Sequence, residues 1–493
     1  MRSLRLDELA RAVNGRLAGD PDTPVGPDVV IDSRRATPGA LFVAVPGSKV
    51  DGHDFAAAAA AGGAAAALVS RPTGELPEVV VGDTVAALGL LGRDVLRRTD
   101  ARVLAITGSQ GKTTTKDVLA QLLEAEGPTV APVGSYNNEY GLPLTATRVE
   151  PDTRWLISEM GARGEGHIAY LCGLTPPDVA IVLNVGQAHL GEFGDREAIA
   201  RAKGELVEAL SPDGWAVLNA TDVRVAAMAA RTAGRIAWWA VGSRPDLPGE
   251  LRVWASDPDA DELDRHGFVL HAESGGALAS APVRLATPGR HQIANALAAA
   301  TAALVELGAE ALPRVAERLG AARPRSAWRM ELSTLAVPGG EALLINDAYN
   351  ANPDSMLAAL ESLAHIARRR RAATGQGRAI AVLGDMLELG ATARSEHEAL
   401  GRAAGALEVD LLIAVGEYAE AAAGAAEQAG VPNVRTVTVL GSDDRTKVAG
   451  ELANMLQPGD TVLVKASRAQ ALEELAAALA ARLGEGESRG ERR

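Results

Sequence analysis

Four residues in this chain have the types and spacings that phosphate and metal chemistry need: Lys112, Glu159, His189 and Lys203. The sharpest run is AITGSQGKTTTKD, residues 105–117. Its glycines, Gly108 and Gly111, free the backbone around Ser109 and Gln110, so that successive amides can turn inward onto phosphate oxygens. The helix that starts at the lysine adds its positive end. Lys112 then reaches the terminal phosphates of a nucleotide, and Thr113, next to Thr114, offers its hydroxyl to Mg2+. The bland reading is a glycine-rich turn between strand and helix. The strict pattern wants a glycine where Ile106 stands, so the loop is a shortened variant and not a standard NTPase cradle.

The other three residues are weak signals one at a time. Glu159 closes the apolar run RWLISEMG, at the edge where a parallel sheet presents its ligands. His189 follows the next apolar run in NVGQAHLGEFG, and a lone loop histidine is more often structural. Lys203, in ARAKGELVEAL, reads as a solvated helix lysine. A GTPase reading fails, because the nearest guanine-reading motif is NATD at 219–222, with Ala220 in place of the lysine.

These groups need a scaffold, and the chain is long enough to supply several. Its 493 residues suggest about three domains. A content of 47% hydrophobic and 23% charged residues is that of a soluble globular protein. The net charge of −14 argues against binding nucleic acid or an anionic membrane surface. Any anionic substrate must therefore be held by local donors. No apolar run reaches membrane-spanning length, and the lone Cys172 is expected to be a small core residue in a reducing compartment. The expected location is cytoplasmic.

Apolar runs alternating with helical segments predict an α/β fold in three domains, with mostly parallel sheets. Residues 1–98 mix short strands with alanine-rich helices in a small α/β domain. Residues 99–322 form a central P-loop domain, with antiparallel strands added over 245–290 and a closing helix from His291 to about Leu307. Residues 323–493 form a Rossmann-like, doubly wound domain whose strands include EALLINDAY, RAIAVLGD, DLLIAVG, VRTVTVL and DTVLVKAS.

In combination these stretches resemble the Mur ligase family over essentially the whole chain. The carriers are DSR, GALFVAVPG and DGHDFAAAA in the first domain. The second contributes GSQGKTTTKD, YNNEYGLPLT, SEMGARGEGHI, NVGQAHLGEFG and AKGEL, and the third NDAYNANPDSM, LGDMLELG and VLVKASR. Within the family, YNNEYGLP and YNANPDSM are most similar to the members that add D-alanyl-D-alanine. The resemblance implies an ATP-dependent ligase of peptidoglycan precursor synthesis. ATP phosphorylates the terminal carboxylate of UDP-N-acetylmuramoyl-tripeptide, and the amine of D-alanyl-D-alanine attacks the resulting acyl phosphate.

It also implies roles position by position. Lys112 and Thr113 match the phosphate and magnesium residues, Glu159 and His189 match magnesium ligands, and Lys203 matches a lysine that the family carbamylates. Asn295 matches an adenine contact, with His291 one turn earlier. Arg329 matches an arginine near the phosphates and Asp347 an acid near the ribose, with Tyr349, Asn350 and Asn352 in the same stretch. Ser33 and Arg34 match the uridine-nucleotide end, and Asn137 and Asn138 a substrate-facing loop. Lys465, Ser467 and Arg468 match a Lys-Gly-Ser-Arg motif. Two positions depart from the family: Asn346 replaces an aspartate, and Ala466 replaces a glycine.

The resemblance thus implies domain roles of UDP-substrate binding, ATP binding and site completion, in chain order, in a protein expected to be a monomer. A sibling that adds the third peptide residue would carry Asp-Asn-Pro-Arg, where this chain has YNANPDSM. A non-catalytic nucleotide-binding regulator is the alternative of another class, and intact Lys112, Glu159, His189 and Lys203 argue against it.

Overall fold

The computed structural model describes residues 2–47, 50–186, 193–438 and 441–484. Among these, the strands fall into three main sheets that follow one another along the chain. In the first, the strands Val29–Val30, Leu41–Val43, Ala66–Val69 and Glu78–Val80 run parallel, and Arg16–Ala18 adds an antiparallel edge. Strand Val29–Val30 is only two residues long. Asp32 ends it by accepting from the Arg34 amide and starting the 3-10 turn Ser33–Arg35.

The second sheet carries the candidate chemistry. Strand Arg102–Thr107 lies third from one edge of its nine strands, flanked by Trp155–Glu159 on one side and Val179–Val182 on the other, all parallel. Buried on both faces, these strands read as continuous apolar runs. Ile106 is fully buried and lies opposite both Glu159 and Ile181, so its side chain belongs to the sheet core. The strand therefore continues through the position where a longer phosphate loop would already have begun.

Beyond Trp215–Asn219 the sheet gains Arg235–Val241, a strand the sequence reading did not separate from its surroundings. Leu251–Ala260, Arg265–Ser274 and Ala277–Pro288 then form the expected antiparallel extension. Helix His291–Leu307 covers this sheet and buries an alanine-rich face against it.

The third sheet is parallel through Gly340–Asn346, Thr461–Lys465, Ala379–Leu383, Leu411–Val415 and Asn433–Val437. The strand Glu331–Val337 pairs antiparallel at its edge and was not predicted. Its mixed burial hides the apolar signal that the inner strands show. Among the described residues, no helix is long and apolar enough to cross a membrane.

Candidate active site

A cleft of about 630 Å3 separates the carboxyl edge of the central sheet from the third sheet. On the central side the chain turns from strand Arg102–Thr107 into helix Lys112–Glu124. Gly111 caps that helix at φ 83°, and a Cβ there would lie 2.2 Å from Asn295 Oδ1. The left-handed backbone there favours glycine, and a Cβ would displace the Asn295 side chain. The loop is braced from behind by Asn184, whose Oδ1 accepts from the Ser109 and Gln110 amides at 3.0 and 3.1 Å. Ser109 Oγ in turn accepts from the Gly186 amide at 2.9 Å.

Lys112 Nζ donates to the Gly108 carbonyl at 2.7 Å, folding back over its own loop. Burial lowers its pKa; Glu159 opposes that shift and Arg329 adds to it. Glu159 is 1% exposed at the end of its strand. Asn137 Nδ2 donates to Oε1 at 2.9 Å, whereas Oε2 is buried with no hydrogen-bond partner among the described residues. An orphaned buried carboxylate oxygen is costly unless something binds it. With the Thr113 hydroxyl, it is the kind of oxygen donor a hard divalent cation takes. Among the described residues no cluster of three or more His, Cys, Asp or Glu could hold a metal, so this side offers a partial shell. His189 lies outside the described residues.

Lys203 corrects the sequence reading. It is 5% exposed, because Ile199, Lys203 and Leu206 share the inward face of helix Arg196–Glu208. It makes no hydrogen bond or ion pair with any described residue. Burial holds its amine well below the usual lysine range, and nearby Lys112 lowers it further. A solvated helix lysine would show neither property.

The third sheet supplies the opposite wall. Arg329 reaches across: one guanidinium nitrogen donates to Thr113 Oγ1 at 2.9 Å and to Ser135 Oγ at 3.3 Å. The Thr113 and Ser135 hydroxyls are themselves 3.0 Å apart. The guanidinium also lies over the Tyr349 ring, 4.1 Å from its centroid. Trp328 and Met330 hold left-handed backbone at φ 60° and 51°, strained for bulky residues. Two bonds maintain them, from the Met330 amide to Asp347 Oδ1 and from the Tyr349 amide to the Trp328 carbonyl.

Other predicted residues in this wall already have partners. Lys465 lines the cleft, and its Nζ donates to Asp347 Oδ2 at 2.6 Å and to the Asn350 carbonyl at 2.9 Å. Asn352 caps the helix that begins at Pro353, accepting from the Ser355 amide. Ser467 Oγ accepts from the Leu387 amide, and Arg468 pairs with Glu473 while lying over the Trp328 ring. Asn295 and His291 line the cleft from helix His291–Leu307, linked through Gln292. Burial lowers the His291 pKa, which favours the neutral ring.

Several predicted residues lie elsewhere. Asn138 Oδ1 accepts from the Gly141 amide, starting helix Gly141–Ala146, and does not line the cleft. Ser33 and Arg34 belong to the first sheet's turn, where Arg34 pairs with Asp32 and holds that carboxyl at about 2. Asn346 Oδ1 accepts from the Ala348 amide. The Ala466 methyl is fully buried facing Gly384, so it adds nothing to the cleft lining. Cys172 is buried, with its thiol pushed up to about 12, as expected of a core residue. Sequence reasoning missed Ser135 and Asn184. Ser135 stands two residues before Asn137 and Asn184 opens the stretch that carries His189, and only the fold turns them toward the phosphate loop.

Comparison with known proteins covers all three sheets. The Mur ligase family catalytic domain matches residues 28–88, the Mur ligase middle domain 106–303, and the Mur ligase glutamate ligase domain 328–468. A Mycobacterium tuberculosis protein named UDP-N-acetylmuramoyl-tripeptide–D-alanyl-D-alanine ligase is 42% identical over 487 residues, covering 92% of each chain. An Escherichia coli protein of the same name is 36% identical, covering 97% of this chain and 99% of its own. The crystal structure of MurF from Acinetobacter baumannii superposes with a TM-score of 0.81 at 31% identity, over 97% of this chain and 99% of that one. MurF from Thermotoga maritima, solved with ADP, gives 0.71 at 29% identity, over 92% and 97%. Three matches in chain order and identity sustained over nearly the full length have one explanation: this chain belongs to the Mur ligase family.

Proposed function

We propose that this protein uses ATP to join D-alanyl-D-alanine to UDP-N-acetylmuramoyl-tripeptide through an acyl phosphate, in peptidoglycan precursor synthesis. The observation that carries the reading is the meeting of Lys112, Thr113 and the orphaned Glu159 oxygen with Arg329 across one cleft. The relatives' names supply the two substrates.

A carboxylate is a poor electrophile, so it must first gain a leaving group. The tripeptide carboxylate oxygen attacks the γ-phosphorus of ATP, and ADP departs with the electrons of the broken P–O bond. The dipeptide amine then adds to the acyl carbon and loses a proton, and inorganic phosphate leaves as the amide forms. Lys112 and Arg329 lie where charge builds on the transferring phosphoryl group. An anionic phosphate beside Lys112 favours its charged form, against the lowering by burial.

Thr113 and Glu159 would hold Mg2+, with His189 and Lys203 assigned beside them by family resemblance; when bound, the ion would neutralise phosphate charge. Asn137 orients Glu159, as outer partners of metal ligands do. Lys203 is assigned as the carbamylated residue. Burial favours its neutral amine, the form that can attack carbon dioxide and release a proton to become an anionic carbamate. Closure of the two walls would keep water from the acyl phosphate. We assign residues 1–98 to the UDP-substrate, 99–322 to ATP and 323–493 to completing the nucleotide and dipeptide site.

The test is product formation followed by mass spectrometry. Amide product, ADP and phosphate are expected in equal amounts, and only with ATP and both substrates present. Steady ATP hydrolysis with neither substrate, or no product with both, would contradict the assignment.

A further inference from the structure

The phosphate-loop motif ends in Lys116 and Asp117, which no step of the reaction uses, yet both are buried on helix Lys112–Glu124. Lys116 Nζ lies 2.7 Å from Asp117 Oδ1 and donates to the carbonyls of Pro132 and Gly134 at 2.9 and 3.1 Å. Asp117 Oδ2 accepts from the Ser326 amide at 2.9 Å. One turn along, Gln121 doubles that hold: its Nε2 donates to the Arg323 carbonyl and its Oε1 accepts from the Arg323 amide.

The two segments gripped this way lead directly to the two groups that meet at Thr113. Gly134 immediately precedes Ser135, and Ser326 stands three residues before Arg329. We infer that the Lys116–Asp117 ion pair is a positioning brace that sets Ser135 from one side and Arg329 from the other against the phosphate-loop threonine. The lysine fixes the segment carrying Ser135 and Asn137, and through Asn137 the orientation of Glu159. The aspartate, with Gln121, fixes the link between the central and third sheets. The pair thereby joins the nucleotide helix, the substrate-side segment and the closing wall at one buried point. A buried ion pair is weak support for stability in itself, and its best-attested use is to specify one arrangement over others.

This inference rests on the ligase reading for its assay, and a double-mutant cycle separates the two. Asp117→Ala and Arg329→Ala are each expected to lower kcat about 100-fold, the scale of a misplacement of about 1 Å. If Asp117 acts through Arg329, the double variant falls no further than Arg329→Ala alone. Lys116→Met and Ser135→Ala are expected to show the same dependence. Factors that multiply in both cycles would overturn the brace.

Gln121→Ala serves where Asp117→Ala fails to fold. It is expected to lower kcat severalfold, only while Arg329 is present, and to leave the KM for the UDP-substrate unchanged. An equal loss in the Arg329→Ala background would also overturn the brace. Wild-type turnover tests the ligase reading by itself, and if it were absent the same cycles would be read on ATP affinity by calorimetry.

Discussion

Two lysines, Lys203 on helix Arg196–Glu208 and Lys465 at the end of a third-sheet strand, are buried to nearly the same degree, yet they live in opposite chemical circumstances. Lys465 has its ammonium bound to Asp347 and to two backbone carbonyls. Lys203 has no partner among the described residues, and its amine is held well below the usual range by burial. The contrast extends to their surroundings. Beside the central sheet, Glu159 Oε2 has no partner among the described residues; across the cleft, Asp347, Asn352, Ser467 and Arg468 are bonded within their own wall, where Arg329 Nε and Glu473 Oε2 are also buried without such a partner. Unsatisfied buried groups cost stability and are kept where a ligand or reaction completes them. On the proposed function, the central side would carry the phosphoryl chemistry, and the third sheet would bring Arg329 to it.

Substitutions can break this contrast. The largest effect is expected for Lys112→Ala, which removes a cation from the transferring phosphoryl group and should lower kcat about 1000-fold, measured as phosphate release.

Lys203→Met should lower kcat about 100-fold while raising stability, since it deletes a buried amine that has no partner among the described residues. The sign with pH follows from the lowered pKa. Between the folded value and the ordinary lysine value the unfolded state binds more protons, so wild-type stability rises with pH. Its deficit against Lys203→Met should shrink accordingly in denaturant melts toward alkaline pH. A short carboxylic acid should partly restore Lys203→Ala turnover.

Asn137→Ala, which removes the hydrogen-bond donor to Glu159 Oε1, should cost about 10-fold to 100-fold in magnesium affinity or turnover. Lys465→Met should reverse the pattern of Lys203→Met, losing about 3 kcal/mol of stability by stranding Asp347, with a smaller change in kcat. Cys172→Ala should change turnover least of all, and the wild-type thiol should resist alkylation at neutral pH.

What the sequence made legible follows the same division. The inner parallel strands and the phosphate loop were readable because burial on both faces writes unbroken apolar runs, and because glycines at a strand-to-helix turn have few other uses. Edge strands such as Glu331–Val337, with mixed burial, carried no such mark. Residue roles were harder. Nothing in ARAKGELVEAL distinguishes Lys203 from a solvated lysine until the helix face is known, and nothing in VLVKASR shows that Lys465 turns back onto Asp347. Ser135 and Asn184 act through contacts spanning 22 and 75 residues, respectively, which no local pattern encodes.

The division of labour between the two walls is tested most directly by trapping the acyl phosphate with hydroxylamine, using ATP and UDP-N-acetylmuramoyl-tripeptide without the dipeptide. Wild type and Lys465→Met, assayed below its melting temperature, are expected to yield the tripeptide hydroxamate, and Lys112→Ala and Lys203→Met to yield almost none. Hydroxamate lost in Lys465→Met but retained in Lys112→Ala would contradict the account.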